Sequence, residues 1–255
     1  MKPKTLERWA PVATAASILI VWQLACSLFH IADFIFPSPL KIAQALAEFT
    51  GPIAVAAWQT FWVTMVGFAL SIVVGVLLGF LVGSTRIAHA AMFPLLVAFN
   101  AVPKAAIVPI LVVWFGIGLG PGILTAFLIS FFPITVNMAT GLATLEPELE
   151  DVLRVLGAKR SDILLKIGLP RSLPYFYASL KVSITLAFVG TVLAEMTAGD
   201  SGIGYLMQSA GSQQRLALAF AGLVVIGAMA MAMYELFSFV ERHTTAWAHR
   251  GSHNE

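Results

Sequence analysis

The chain is predicted to be an all-α polytopic membrane protein with about six transmembrane helices, and three observations carry that prediction. Of 255 residues, 59% are hydrophobic and 11% charged, where soluble globular chains average roughly 25% charged. Uncharged runs cover Trp9–Ala32, Phe49–Thr85, Ile87–Pro103, Ala105–Leu145 and Leu216–Tyr234, and a helix needs ~20 apolar residues to cross a bilayer. The basic residues are also unevenly divided. With six spans both termini fall on one side, and that side receives 11 of the 15 Lys and Arg, while Lys41 and Arg215 fall on the other. Such asymmetry marks the cytoplasmic side.

The first span is expected at about residues 10–30. Lys2, Lys4 and Arg8 precede an apolar stretch, as in a signal peptide, but no cleavage site stands before Asp33, so a retained helix is expected. Cys26, the single cysteine, lies in this run and excludes an internal disulfide. Residues 31–56 contain PSPLKIAQALAEF, which alternates like a short amphipathic helix at the outer interface. The second span, about 57–84, carries Gly67, Ser71, Gly75, Gly79 and Gly83 at fourfold spacing. Small residues so placed let a neighbouring backbone approach closely, as a seam of a translocation core or dimer, or as ordinary intramembrane packing.

The third span, about 88–117, holds Pro103, Lys104 and Pro109, so its backbone is not a regular helix throughout. Lys104 either faces a polar path or anchors the span at the interface. Gly116–Gly122 is a turn, and a fourth span follows at about 121–143. The fifth, about 174–198, carries Lys181 near its inner end and Glu195 near its outer end. Glu195 is a candidate gate or cavity carboxylate, or an interfacial residue that reaches water; Lys181 and Glu235 read better as snorkelling or paired structural residues. Gly199–Gly204 reads as a flexible external loop, a hinge or a plain re-entry turn, before a sixth span at about 216–239.

The one long polar passage between the outer spans is Thr144–Tyr175. Pro147, Glu148, Glu150 and Asp151 suit a helix start. Leu149, Val152, Leu153 and Leu156 form one apolar stripe, and Gly157 stands where a helix ends in a left-handed residue. Ser161 can cap a second short helix carrying Ile163, Leu164 and Ile167, with Leu169-Pro170 as its stop. The product is a basic helix-turn-helix knob.

Gly157, nine residues, Ile167, one residue, then Leu169-Pro170 resembles the EAA loop of ABC-transporter permease subunits. Asp151, Val152 and Leu153 occupy the E-A-A positions, so the acid is kept in type and both alanines are replaced by larger residues; Ala158 follows the glycine. Flanking sequence is similar to type I importer permeases of the nitrate, sulfonate, taurine and bicarbonate group: PSPLKIAQAL from Pro37, VPKAAIVPILVVWFGIG from Val102, and LAEM from Leu193. The resemblance covers about residues 35–240. It implies a type I ABC importer permease fold, with an N-terminal helix and external segment in 1–56, a core domain in 57–240 with the coupling loop at 144–173, and a cytoplasmic tail in 241–255. It further implies a bacterial inner-membrane location, a partner ATPase that uses ATP and Mg, a second permease copy, an extracytoplasmic solute-binding protein and a small anionic cargo.

No G-x-x-x-x-G-K-[ST] motif is present, so this chain does not cradle ATP phosphates and needs no cofactor of its own. No G-x-S-x-G or H-E-x-x-H set is present either, which argues against a membrane enzyme. The histidines lack metal-ligand spacing. Nucleic acid is not an expected partner. The alternative is a stand-alone ion-coupled transporter, which also uses broken helices but would not need the knob.

Overall fold

The computed structural model describes residues 3–143, 152, 153 and 155–245. The helices are α1 (Pro3–Leu28), α2 (Pro39–Glu48), α3 (Thr50–Ser84), α4 (Arg86–Ala101), α5 (Val108–Phe115), α6 (Leu119–Ala143), α7 (Arg160–Ile163), α8 (Leu169–Ala198), α9 (Gly202–Ser212) and α10 (Leu216–Thr244). A 3₁₀ turn, Lys104–Ile107, precedes α5, and a π turn, Leu164–Gly168, joins α7 to α8. Among the described residues, five segments are long and apolar enough to cross a membrane: Trp9–Leu28, Thr50–Ser84, Leu119–Ala143, Leu164–Ala198 and Leu216–Thr244. A sixth crossing exists if α4 and the Lys104–Phe115 segment count as one span, which is bent by 73°. Pro103 and Pro109 impose that break as expected, since neither can donate to a helical ladder.

The core is built on α6, with α3 and α8 packed both against it and against each other. The fourfold glycines of α3 meet α6 of the same chain: a Cβ at Gly67 would stand 2.6 Å from Ile123 O, at Gly75 2.8 Å from Ile134 Cβ, and at Gly79 2.6 Å from Met138 Cβ. Ser71 continues the row, its hydroxyl 2.6 Å from Ser130 Oγ. The seam is therefore intrachain packing, and its side is filled before any second copy could use it. α8 approaches α6 as closely: a Cβ at Gly190 would come within 2.9 Å of Ala126 Cα. Phe68, Ile134, Ile184 and Phe188 fill the remaining core, each almost fully buried.

A second cluster attaches α2. Ile42 and Ala45 are buried together with Ile53 and Ala221, so the apolar face of this amphipathic helix lies on α3 and α10 rather than on the lipid interface alone. Trp22 of α1 packs at 5.2 Å from Phe36 and 6.3 Å from Phe220.

Three boundaries depart from expectation. The second span begins at Thr50, not 57, because Gly51 and Pro52 sit in the first turn, where neither costs a ladder bond. Leu169-Pro170 does not stop a helix: the π turn lets Leu169 N–H bond to Leu164 O, widening the ladder where Pro170 has no donor to offer. Gly202–Ser212 is a helix, not part of a flexible loop, and Gly202, Ile203 and Gly204 are buried.

Filling the seam tests this packing. Gly75→Ile is expected to lower stability by ~1–3 kcal/mol through overpacking against Ile134. Gly51→Ala, where nothing lies within 4 Å of the new methyl, serves as the neutral control. Thermal unfolding in detergent measures both, and equal melting of the two variants would contradict the seam.

Candidate functional site: a knob and a buried carboxylate on one helix

The knob begins in residues 144–151, and Asp151 with the rest of that stretch lies outside the described residues. Val152, Leu153 and Val155 are helical, and the end of this helix is closed as its glycine predicts. Gly157 has φ +86°. Leu156 N–H bonds to Val152 O at 3.1 Å and Ala158 N–H to Leu153 O at 3.0 Å, the six-to-one bond of a Schellman ending. Among the described residues no heavy atom would stand within 4 Å of a Cβ at Gly157, so the glycine answers to backbone conformation.

Val155 is 87% and Leu156 76% exposed, apolar surface in the chain's most polar stretch. Beside them runs a groove of about 300 Å³ lined by Leu153, Leu156, Gly157, Ile163, Lys166 and Ile167. Asp162 and Lys166 pair across one turn at 3.1 Å, and Ile163 and Gly168 are buried, which fixes the knob to the root of α8. Leu164–Ala198 is one helical passage of 35 residues. At 1.5 Å per residue it is about 50 Å long, enough to cross the bilayer.

Glu195 stands near the far end of that passage. It is 8% exposed, so it does not reach water as an interfacial residue would. Thr60 Oγ1 of α3 donates to its carboxylate, 2.9 Å from both oxygens. Gly204 N–H of α9 donates to Oε2 at 2.9 Å, and Ile203 N–H donates to Thr60 Oγ1 at 2.8 Å. Gln59 Oε1 accepts from Gly202 N–H at 3.1 Å. One turn deeper, Thr64 Oγ1 is 2.9 Å from Thr191 Oγ1, tying α3 to α8 again. The space beside Glu195, bounded by Gln59, Val63 and Leu119, holds about 10 Å³, room for one water and no larger solute.

Sequence reasoning singled out Glu195 but not Gln59, Thr60 or the turn of α9 that closes on it. The available signal was an acid in an apolar span followed within nine residues by Gly-Ile-Gly: a buried carboxylate needs donors, and bare glycine amides supply them.

Lys104 lies at the break between α4 and α5. Its ammonium donates to Asn100 O and, at 2.8 Å, to Asn100 Oδ1, with the Phe99 ring centroid 6.0 Å away. It therefore caps the last turn of α4, whose carbonyls lose their ladder partners at Pro103. Lys181 pairs with Glu241 at 2.6 Å, both mostly buried, which is the structural role expected for it. Cys26 is buried, with Phe36 O 3.8 Å from its sulfur. Among the described residues no group of three His, Cys, Asp or Glu is placed to hold a metal.

The family model for the binding-protein-dependent transport system inner membrane component matches residues 71–245, from the middle of α3 to the end of α10. This chain belongs to that family of ABC transporter permeases. A probable ABC transporter permease protein of Haemophilus influenzae is 32% identical over 228 residues, covering 88% of this permease and 91% of the relative. The riboflavin transport system permease protein of Chloroflexus aurantiacus is 30% identical, covering 92% of this permease and 88% of that chain. The taurine transport system permease protein of Escherichia coli is 27% identical with the same coverages. Among solved structures, an inward-facing form of the MetNI methionine ABC transporter aligns with a TM-score of 0.68 at 19% identity, covering 77% of this permease and 98% of that chain. That likeness concerns the fold, a helical importer permease.

Proposed function

We propose that this permease forms the membrane path of an ATP-driven importer in the bacterial inner membrane, with both termini and the knob on the cytoplasmic side, and that it carries a small anion such as a sulfonate or taurine. ATP and Mg are used by a separate ATPase subunit that docks on the knob. The observation that carries this reading is the closed helix end at Gly157 with Val155 and Leu156 exposed beside it: an apolar, conformationally fixed surface on the side where the basic residues gather is built to receive another protein. Because the knob runs into α8 without a helical stop, closure of an ATPase pair would reach the membrane core as rigid-body motion.

A second permease copy and an extracytoplasmic binding protein complete the proposed assembly. α4 buries none of its residues within the chain; Asn100 lies in its last turn, and Lys104 follows at the bend. Polar groups at membrane depth belong against protein or water rather than lipid, which favours a second copy, with a path between the two, facing that surface.

The cargo is argued from two sides. Relatives named for taurine and aliphatic sulfonates favour an anion, and Lys104 supplies a cation at a broken span. Relatives named for riboflavin and formylaminopyrimidine favour a heterocycle instead.

The knob is tested by Gly157→Val and Gly157→Asn in the complex with its ATPase. Valine at φ +86° costs ~1–3 kcal/mol of local strain, whereas asparagine tolerates that region. Gly157→Val is expected to assemble but lose most ATP-driven uptake, with Gly157→Asn close to the parent. Parent-level uptake together with parent-level ATP hydrolysis in the valine variant would overturn the coupling role.

The cargo is tested by uptake of labelled taurine, with riboflavin as competitor. Lys104→Met is expected to abolish taurine uptake while leaving ATP hydrolysis, and Lys104→Arg to retain part of it. Parent-level taurine uptake in Lys104→Met would confine Lys104 to capping α4. Competition by riboflavin would transfer the cargo to the heterocycles.

A further inference from the structure

α9 starts without a cap of its own. Ser201, at the N-cap position, makes no capping bond, and its hydroxyl is turned to Asp200 Oδ1 at 3.0 Å. The first three N–H groups of α9 are instead taken, one each, by Gln59 Oε1, Thr60 Oγ1 and Glu195 Oε2. Two of those acceptors belong to α3 and the third to α8, so the helix is capped entirely in trans. A buried carboxylate at a helix N-terminus also meets the positive end of the macrodipole, which strengthens the grip.

The fit leaves no room for side chains. Gly202 has φ +90°, and a Cβ there would run into the Glu195 carboxylate; one at Gly204 would stand 2.6 Å from Glu195 Cβ and Val192 O. The glycines exist so that the backbone of α9 can close on this acid. At its other end α9 leaves through the turn at Gln213–Arg215, where Gln214 has φ +60° and Arg215 N–H bonds to Ala210 O at 2.8 Å. α9 is thus gripped at its start and turned at its end. Beside it lies a cleft of about 630 Å³ lined in part by Gln59, Ser201, Tyr205 and Ser209.

We infer that Glu195 is a positioning residue of transport: with Thr60 and Gln59 it locks the start of α9 to α8 and α3, so that a displacement begun at the knob carries α9 with it at the opposite end of the molecule. This rests on the proposed reading of the knob as the element an ATPase drives. It assigns Glu195 no contact with the cargo, in keeping with the single-water space beside it. Thr60 and Gln59 are the other half of the clasp, and they bind the start of α9 to α3 as Glu195 binds it to α8.

The test uses the full complex of the affinity-tagged permease with its ATPase. Gln208→Cys, on the exposed side of α9, is introduced in a Cys26→Ala background and labelled with a membrane-impermeant maleimide. Labelling is compared in the nucleotide-free and the ATP–vanadate-trapped complex, and ADP retained with the tagged permease reports that the trapped assembly has formed. The labelling rate in the parent is expected to differ by about threefold or more between the two states, and Glu195→Leu to reduce that ratio to about one while ADP is still retained. Glu195→Gln keeps an acceptor for Gly204 N–H and is expected to restore a state-dependent ratio. Thr60→Val, which leaves both Ile203 N–H and the carboxylate without their partner, is expected to behave as Glu195→Leu and decides the matter if the leucine variant does not assemble. An unchanged ratio in Glu195→Leu or Thr60→Val, or a ratio of one in a parent that retains ADP, overturns the inference. A parent permease that retains no ADP overturns the reading of the knob beneath it.

Discussion

The close approach of α6 to both its neighbours is the constraint on which the other features depend. Gly67, Gly75 and Gly79 bring α3 onto α6, and Gly190 brings α8 onto α6 beside it. Lipid tails are as apolar as the side chains they would replace, so helices in a bilayer gain little by hiding hydrophobic surface from one another. Dense backbone contact and buried hydroxyl pairs supply the association instead. Ser71 with Ser130, between α3 and α6, and Thr64 with Thr191, between α3 and α8, are such pairs. Only with α3 and α8 held at this distance can Thr60 and Glu195 meet, and only then can α9 be capped by both.

Three irregular backbone points answer the same requirement: a polar backbone group away from water must find a partner. At Pro103 the last carbonyls of α4 are left open, and Lys104 folds back on Asn100. At Pro170 the missing donor is absorbed by a π turn. At Gly202 three amides come free together, and three side chains from two other helices take them. A helix end capped by its own neighbours in sequence can move independently. One capped by distant residues cannot, and this difference separates α9 from an ordinary re-entry loop.

Much of this was legible in the sequence. The spans follow from long uncharged runs, the seam from fourfold small residues, the broken third span from its prolines, and the left-handed closure at Gly157 from a glycine set after an amphipathic stripe. What was not legible depended on contacts far apart in the chain. Pro170 reads as a helix stop because a π turn has no sequence pattern of its own. Gly199–Gly204 reads as flexible because glycines signal freedom unless something is known to fill the space of their missing side chains, and here Glu195 fills it. The acid itself was visible, but its donor Thr60, and Gln59 that holds the next turn of the clasp, lie more than 130 residues away, in a helix whose visible pattern is the glycine row.

The central claim is that the passage from the knob to α9 behaves as one body. Spin labels at Leu165, exposed at the root of α8, and Gln208 on α9 measure this within a single copy of the chain. The account predicts that their separation is the same in the nucleotide-free and vanadate-trapped complexes, while the distance between the Gln208 labels of two copies changes. A change in the Leu165–Gln208 separation between the two states, with the distance between copies unaltered, would contradict it.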